Sequence, residues 1–199
     1  APSPSVSMLP IIAAMTSHRV RRIPGRPTHT AMLSDLYQRP GFLLRRTHQI
    51  SAAVFESACA EVGLTPAQYG VLTVLAAEPG LDQTRLARAL AFDKVTVMRV
   101  LKGLEERRLV LRERSSVSRR QMTVSLTPQG QEVLQAAREP AERAYQRLLS
   151  PLSQSQRSQL IELLQTLTDG LADEARAPFI PLQPSTSASA PSPRTRRGT

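Results

Sequence analysis

Two aspartates, Asp82 and Asp93, constrain this chain most. Each stands just before a short amphipathic segment, where a carboxylate accepts from the unpaired backbone amides of a helix start. After Asp82, Leu86, Ala89 and Leu90 form an apolar stripe, and after Asp93, Val97, Val100, Leu101 and Leu104 form another. Only Ala91 and Phe92 separate the first segment from the second cap. Two short helices joined by so tight a turn read as a helix-turn-helix. The second helix leaves Lys94, Thr96, Arg99 and Lys102 largely off its apolar stripe, so its outward face is basic and hydroxylic.

The segments that follow agree. Leu109 to Arg114 reads as a strand, and Met122 to Leu126 alternates with period two as another. Between them lies the polar, basic loop Ser115 to Arg120. A ribbon placed directly after such a helix is a wing, whose serines and arginines suit phosphates.

Longer helices flank this unit. Leu43, Ile50, Val54, Ala58 and Val62 fall on one helical face, after the break at Pro40-Gly41 and before Gly63 as a stop. Thr65-Pro66-Ala67-Gln68 combines a cap, proline at the first helical position and glutamine three residues after the cap, so a second helix runs to about Ala77. Thr127-Pro128 repeats the signal and opens a helix interrupted or kinked at Pro140. Ser153 caps the last helix, where Leu160, Leu164, Leu167 and Leu171 line one face. These stripes need a partner surface.

A formal charge of +10 suggests nucleic acid, but its distribution matters. Residues 1–30 carry +4 from Arg19, Arg21, Arg22 and Arg26, the tail from Pro178 carries +3 from Arg194, Arg196 and Arg197, and +3 remains for 31–177. The tail holds five prolines among serine, threonine and alanine, a composition that cannot offset the entropy of ordering. The expected organisation is therefore a disordered extension over 1–32, a domain over 33–177 and a disordered tail over 178–199. Within the domain, 65–130 carries the helix-turn-helix and the ribbon, and 33–63 with 131–177 the long flanking helices. Arginines follow the apolar stretch Met8 to Met15 and do not precede it, which argues against a signal peptide.

Several function classes find no support. No apolar run approaches the roughly 20 residues of a membrane-spanning helix. The single cysteine, Cys59, permits neither an internal disulfide nor a thiolate metal cluster. Of three histidines, His18 and His29 lie in the basic arm, and no nucleophile elbow, phosphate loop or metal-ligand cluster is present. An enzyme is not expected, nor a cofactor, and the cytoplasm, beside the nucleoid, is the expected location. Cys59 lies near an apolar helix face with no basic neighbour in its own turn, so a buried structural thiol is expected over a redox sensor.

Taken in order, Leu64-Thr65-Pro66-Ala67-Gln68-Tyr69-Gly70, Leu81-Asp82-Gln83-Thr84-Arg85-Leu86-Ala87, Asp93-Lys94-Val95-Thr96-Val97-Met98-Arg99, Leu104-Glu105-Glu106-Arg107-Arg108-Leu109-Val110 and Val124-Ser125-Leu126-Thr127-Pro128-Gln129-Gly130 resemble a MarR-type transcription regulator. The resemblance covers about residues 33–172. It implies a mainly α, winged helix-turn-helix fold (α+β) with a two-stranded wing, in a homodimer built on the terminal helices. The two recognition helices would enter successive major grooves of a palindromic double-stranded operator. Carried over by position, Thr96 and Arg99 would face bases and phosphates, with Lys94 and Lys102 beside them. Gln83 and Thr84 would face the DNA backbone, and Ser118, Arg119 and Arg120 would form the wing tip. Two positions depart from the family pattern: Ser118 stands where an acidic residue usually pairs with the second wing arginine, and Arg108 where glycine usually ends the recognition helix.

Gly80-Leu81-Asp82-Gln83-Thr84 and Arg45-Arg46-Thr47-His48-Gln49-Ile50 are most similar to the branch that controls aromatic-acid catabolism. That resemblance implies a repressor released by an aromatic acid or its coenzyme A thioester, with Arg45, Arg46 and His48 near the effector pocket. The alternatives are an architectural DNA binder or a redox-sensing one, neither of which needs a small-molecule effector.

Overall fold

The computed structural model describes residues 29–114 and 122–183. In order these form α1 (His29–Gln38), α2 (Pro40–Ala58), α3 (Pro66–Ala77), β1 (Leu81–Asp82), α4 (Gln83–Ala89), α5 (Lys94–Glu106), β2 (Val110–Arg114), β3 (Met122–Leu126), α6 (Pro128–Leu148), α7 (Gln154–Gly170) and a 3-10 turn, Ala172–Glu174. The chain divides after Leu43 into two units. In the first, Asp35 pairs with Arg39 one turn on, and the Tyr37 and Phe42 rings lie 5.2 Å apart. The extension expected over 1–32 thus already contains the start of a helix.

The helix starts are set by side chains close in sequence. Thr65 accepts from the Gln68 amide at 3.3 Å while the Gln68 side chain accepts from the Thr65 amide at 3.0 Å. Ser153 and Gln156 repeat this reciprocal box on α7. Asp82 accepts from the amides of Thr84 and Arg85 at 2.9 and 3.0 Å, and Asp93 from that of Thr96 at 2.6 Å. Each satisfies donors that a helix start otherwise leaves unpaired.

The sheet has the order β1-β3-β2, antiparallel throughout. Two strands are legible in the sequence. The third, β1, is two residues long, and its existence rests on Leu81 lying opposite Val124. No periodicity can announce so short a strand. Leu72, Leu75, Leu81, Leu86, Leu101, Leu104, Leu109 and Val124 are buried together in one core that joins α3, α4, α5, the sheet and α6.

Two further differences from the sequence reading, at α2 and at 178–183, and two features it anticipated, at Pro140 and Arg108, have local causes. The buried positions are Phe55 on α2 and Cys59 just past its end, one residue round from the expected stripe, and Leu43 and Ile50 stay exposed. The helix α6 runs through Pro140 without ending. A proline forfeits one backbone bond, and the buried Ala137, Ala141 and Ala144 on either side hold the helix against its neighbours. Residues 178–183, assigned to a solvated tail, lie along α4: the Ile180 amide donates to the Arg88 carbonyl at 3.0 Å and Leu182 packs on the core. Finally, Arg108 adopts φ +57°, the left-handed turn for which glycine is usual, and Ala91 turns the short loop at φ +51°.

Arg107 ties the end of α5 to the turn after α2. Its guanidinium donates to the carbonyls of Val62 and Gly63 at 2.8 and 2.6 Å, so α5 is anchored at both ends.

Candidate nucleic-acid interface

The two aspartate caps place the candidate site. Because α5 starts at Asp93 and buries Val97, Val100, Leu101 and Leu104, the helical period turns Val95, Arg99 and Lys102 outward, with Lys94 and Met98 at the margins. Lys94, Arg99 and Lys102 are exposed. Lys102 meets Glu106 at 3.8 Å, an exposed pair of little strength, so its ammonium stays available.

Thr96 is half-buried, and its hydroxyl as well as its amide bonds Asp93. Those two hydrogen bonds hold the Asp93 carboxyl below its ordinary range, which keeps the cap ionised and directs its charge toward the helix amides. Thr96 is thus a cap partner as well as a candidate base contact. Thr84 is exposed at the start of α4, and the Gln83 side-chain amide rests on the Met98 sulfur. Gln83 thus reaches from the start of α4 to the side of α5.

Behind this face, Arg112 on β2 donates to Glu105 of α5 at 2.5 Å, and this bond raises the guanidinium pKa further. The pair fixes the ribbon to the recognition helix. Arg114 and Met122 mark the two edges of the wing loop, while Ser118, Arg119 and Arg120 lie outside the described residues.

Sequence reasoning passed over three side chains at this candidate face. Val95 is 75% exposed, and the period that buries Val97 already points it outward. Met98 was legible in the same way. Arg176 was not: it comes to the α4–α5 face only because the chain after α7 folds back. There Arg176, Ala177 and Pro178 wall a cleft of about 460 Å³ with Gln83, Thr84, Lys94 and Met98.

The candidate effector residues sit elsewhere. Arg45, Arg46 and His48 are exposed on the first half of α2, where the Arg45 guanidinium donates to Gln49 at 3.2 Å. The space among α2, α3 and α6 is filled by Phe55, Cys59, Ala141 and Ala144, with the Tyr69 ring 5.5 Å from that of Phe55. Next to it, Ala53, Val54 and Ala58 of α2 and Arg143, Ala144 and Arg147 of α6 line a cleft of about 470 Å³. The structure does not bring Arg45, Arg46 or His48 into that lining.

The model of the MarR family matches residues 62–121, from the end of the α2 turn through the wing loop. Over 140 residues the chain is 34% identical to a Thauera aromatica protein named for regulation of the hcr operon, covering 70% of this chain and 82% of that one. This chain belongs to the MarR family of transcriptional regulators. Solved structures of the family share its fold. The transcriptional repressor CouR on a 23-mer DNA duplex superposes with TM-score 0.62 at 34% identity, covering 68% of this chain and 96% of that one. Streptomyces coelicolor PcaV with its natural ligand gives 0.63 at 30%, covering 68% and 95%. CouR is also known bound to p-coumaroyl-CoA, at 33% identity. The MarR-family assignment agrees with the winged helix built from the capped helices and the sheet. No described helix is long and apolar enough to cross a membrane.

Proposed function

We propose that this regulator is a homodimeric repressor that holds a palindromic operator and leaves it when a small aromatic acid or its coenzyme A thioester binds. The observation that carries the reading is the outward stripe of α5, cationic at Lys94, Arg99 and Lys102 on a helix capped and braced at both ends. In this reading Arg99 and Thr96 face bases. Lys94, Lys102, Gln83, Thr84, Ser118, Arg119 and Arg120 meet the DNA backbone. The relatives solved on DNA and with an acyl thioester support the two halves of the cycle.

The effector site runs along α2, from Arg45, Arg46 and His48 toward the cleft at Arg143 and Arg147. Eight helical steps, from Arg45 to Ala53, rise about 12 Å, a span that a coenzyme A thioester can bridge. A ligand acts only through unequal affinity for the DNA-competent and released arrangements. A tenfold loss of operator affinity at saturation therefore demands a tenfold loss of effector affinity on operator, a coupling of about 1.4 kcal/mol.

The test uses the full chain and an operator selected from random duplexes. Arg99→Ala lowers the preference for that operator over random DNA by about 1 to 3 kcal/mol, whereas Arg119→Ala or Arg120→Ala weakens both DNAs and lowers the salt slope by about one. Thermal shifts against aromatic acids and acyl thioesters identify the effector. The double variant Arg45→Ala, Arg46→Ala then raises the half-release concentration while ligand-free affinity stays within about threefold, near 0.65 kcal/mol. Stabilisation by no compound of either class overturns the effector reading, and an unchanged half-release concentration removes the two arginines from the site.

A further inference from the structure

We propose that Val95 reads the 5-methyl group of a thymine in the operator. The proposal rests on the DNA-binding reading above and goes beyond it by giving one side chain a chemical specificity.

Successive residues of an α-helix are turned by about 100°, so the buried Val97, Val100, Leu101 and Leu104 define an inward direction, and Val95 falls nearly opposite it. At 75% exposure it is the most exposed large apolar side chain among the described residues. It stands in the first turn after the Asp93 cap, the end of a recognition helix that approaches base edges.

Its neighbours decide what it can meet. Lys94, Arg99 and Lys102 surround it and Met98 alone of the apolar side chains of α5 adjoins it, so the outward face offers a protein little apolar surface, while the cations suit a polyanion. Valine has neither donor nor acceptor, so it cannot read the nitrogen and oxygen pattern of a base pair. The one apolar group that a base shows in the major groove is the thymine methyl. A β-branched side chain in a helix is held to essentially one χ1 rotamer, so little freedom is lost when it seats on a methyl. Met98 is a poorer reader: it is less exposed than Val95 and lies at the margin of the face.

The experiment begins with sites selected by the full chain from a randomised duplex library. Each thymine of the enriched half-site is then replaced by deoxyuridine in both halves, which removes the methyl and leaves every hydrogen-bonding group in place. At one thymine the replacement weakens binding by about fourfold per methyl, the factor expected for withdrawing one buried carbon. Val95→Ala binds the thymine and deoxyuridine duplexes equally well, still prefers the selected site to random DNA, and melts as the parent does because the residue is exposed. Met98→Ala keeps the parent's sensitivity to deoxyuridine. Indifference of the parent to every replacement, or undiminished sensitivity in Val95→Ala, overturns the proposal and leaves DNA binding standing. If no sequence is enriched, the DNA-binding reading falls and takes the proposal with it.

Discussion

A β-carbon at Gly130 would stand 2.0 Å from the carbonyl oxygen of Leu109 and 2.9 Å from its carbon. The approach is set by Thr127. Its amide donates to the Leu109 carbonyl at 3.1 Å, and its hydroxyl donates to the Arg108 carbonyl at 2.7 Å while accepting from the Gly130 amide at 3.0 Å. Thus α6 begins directly against the entry to β2, and backbone occupies the place of a side chain. Gly130→Ala should cost about 3 kcal/mol, the upper end for overpacking, because backbone gives way less readily than a side chain. Urea unfolding checks this against Gln129→Ala, an exposed neighbour whose change should stay within about 0.5 kcal/mol.

Arg108 tests the opposite sign. Its φ of +57° costs an L-residue about 1 kcal/mol, and glycine relieves that strain while adding about 0.5 kcal/mol of unfolded-state freedom. Arg108→Gly should therefore stabilise the fold by about 0.5 kcal/mol. Lys102→Gly, inside α5, should destabilise it by about 1 kcal/mol. A loss of stability in Arg108→Gly would contradict the strain argument.

The helix α7 buries no residue within its own chain, and Ile161, Leu163 and Leu167 on it and Leu171 at its C-cap are exposed. A second copy is the occupant expected for this surface. Replacing Leu167 and Leu171 by lysine should leave helicity intact, because no buried contact is lost, and should shift the sedimenting species to the 21.8 kDa monomer. Parent protein that sediments as a monomer at micromolar concentration, with operator binding intact, would refute the dimer.

Cys59 is 1% exposed, and burial pushes its thiol pKa up against a smaller opposing pull from Arg143. A group whose folded pKa is raised favours folding fully below its unfolded value, near 8.5 for a thiol, and loses that advantage as pH rises through the folded value. Stability should therefore fall more steeply above about pH 8.5 in the parent than in Cys59→Ala. At neutral pH, native Cys59 should be alkylated more slowly than free cysteine and at the ordinary rate in denaturant. Rapid native alkylation would reopen the redox-sensing alternative.

What could be read in the chain beforehand was what depends on neighbours a few positions away. Thr65 with Gln68, Asp82 with Thr84, Asp93 with Thr96 and Thr127 with Gly130 are contacts over two or three residues, so side-chain chemistry alone located four helix starts. The same period that buries Val97 assigns an outward position to Val95. Tertiary structure decided the rest. An apolar stripe announces that something covers it and carries no information about what, so α2 could turn Phe55 and Cys59 inward and leave Ile50 in solvent. β1 exists because Val124 lies across from Leu81, and Ile180 reaches the Arg88 carbonyl from far along the chain. Local hydrogen bonds are chosen by adjacent side chains, whereas burial and distant pairing are chosen by surfaces that meet only once the whole chain has folded.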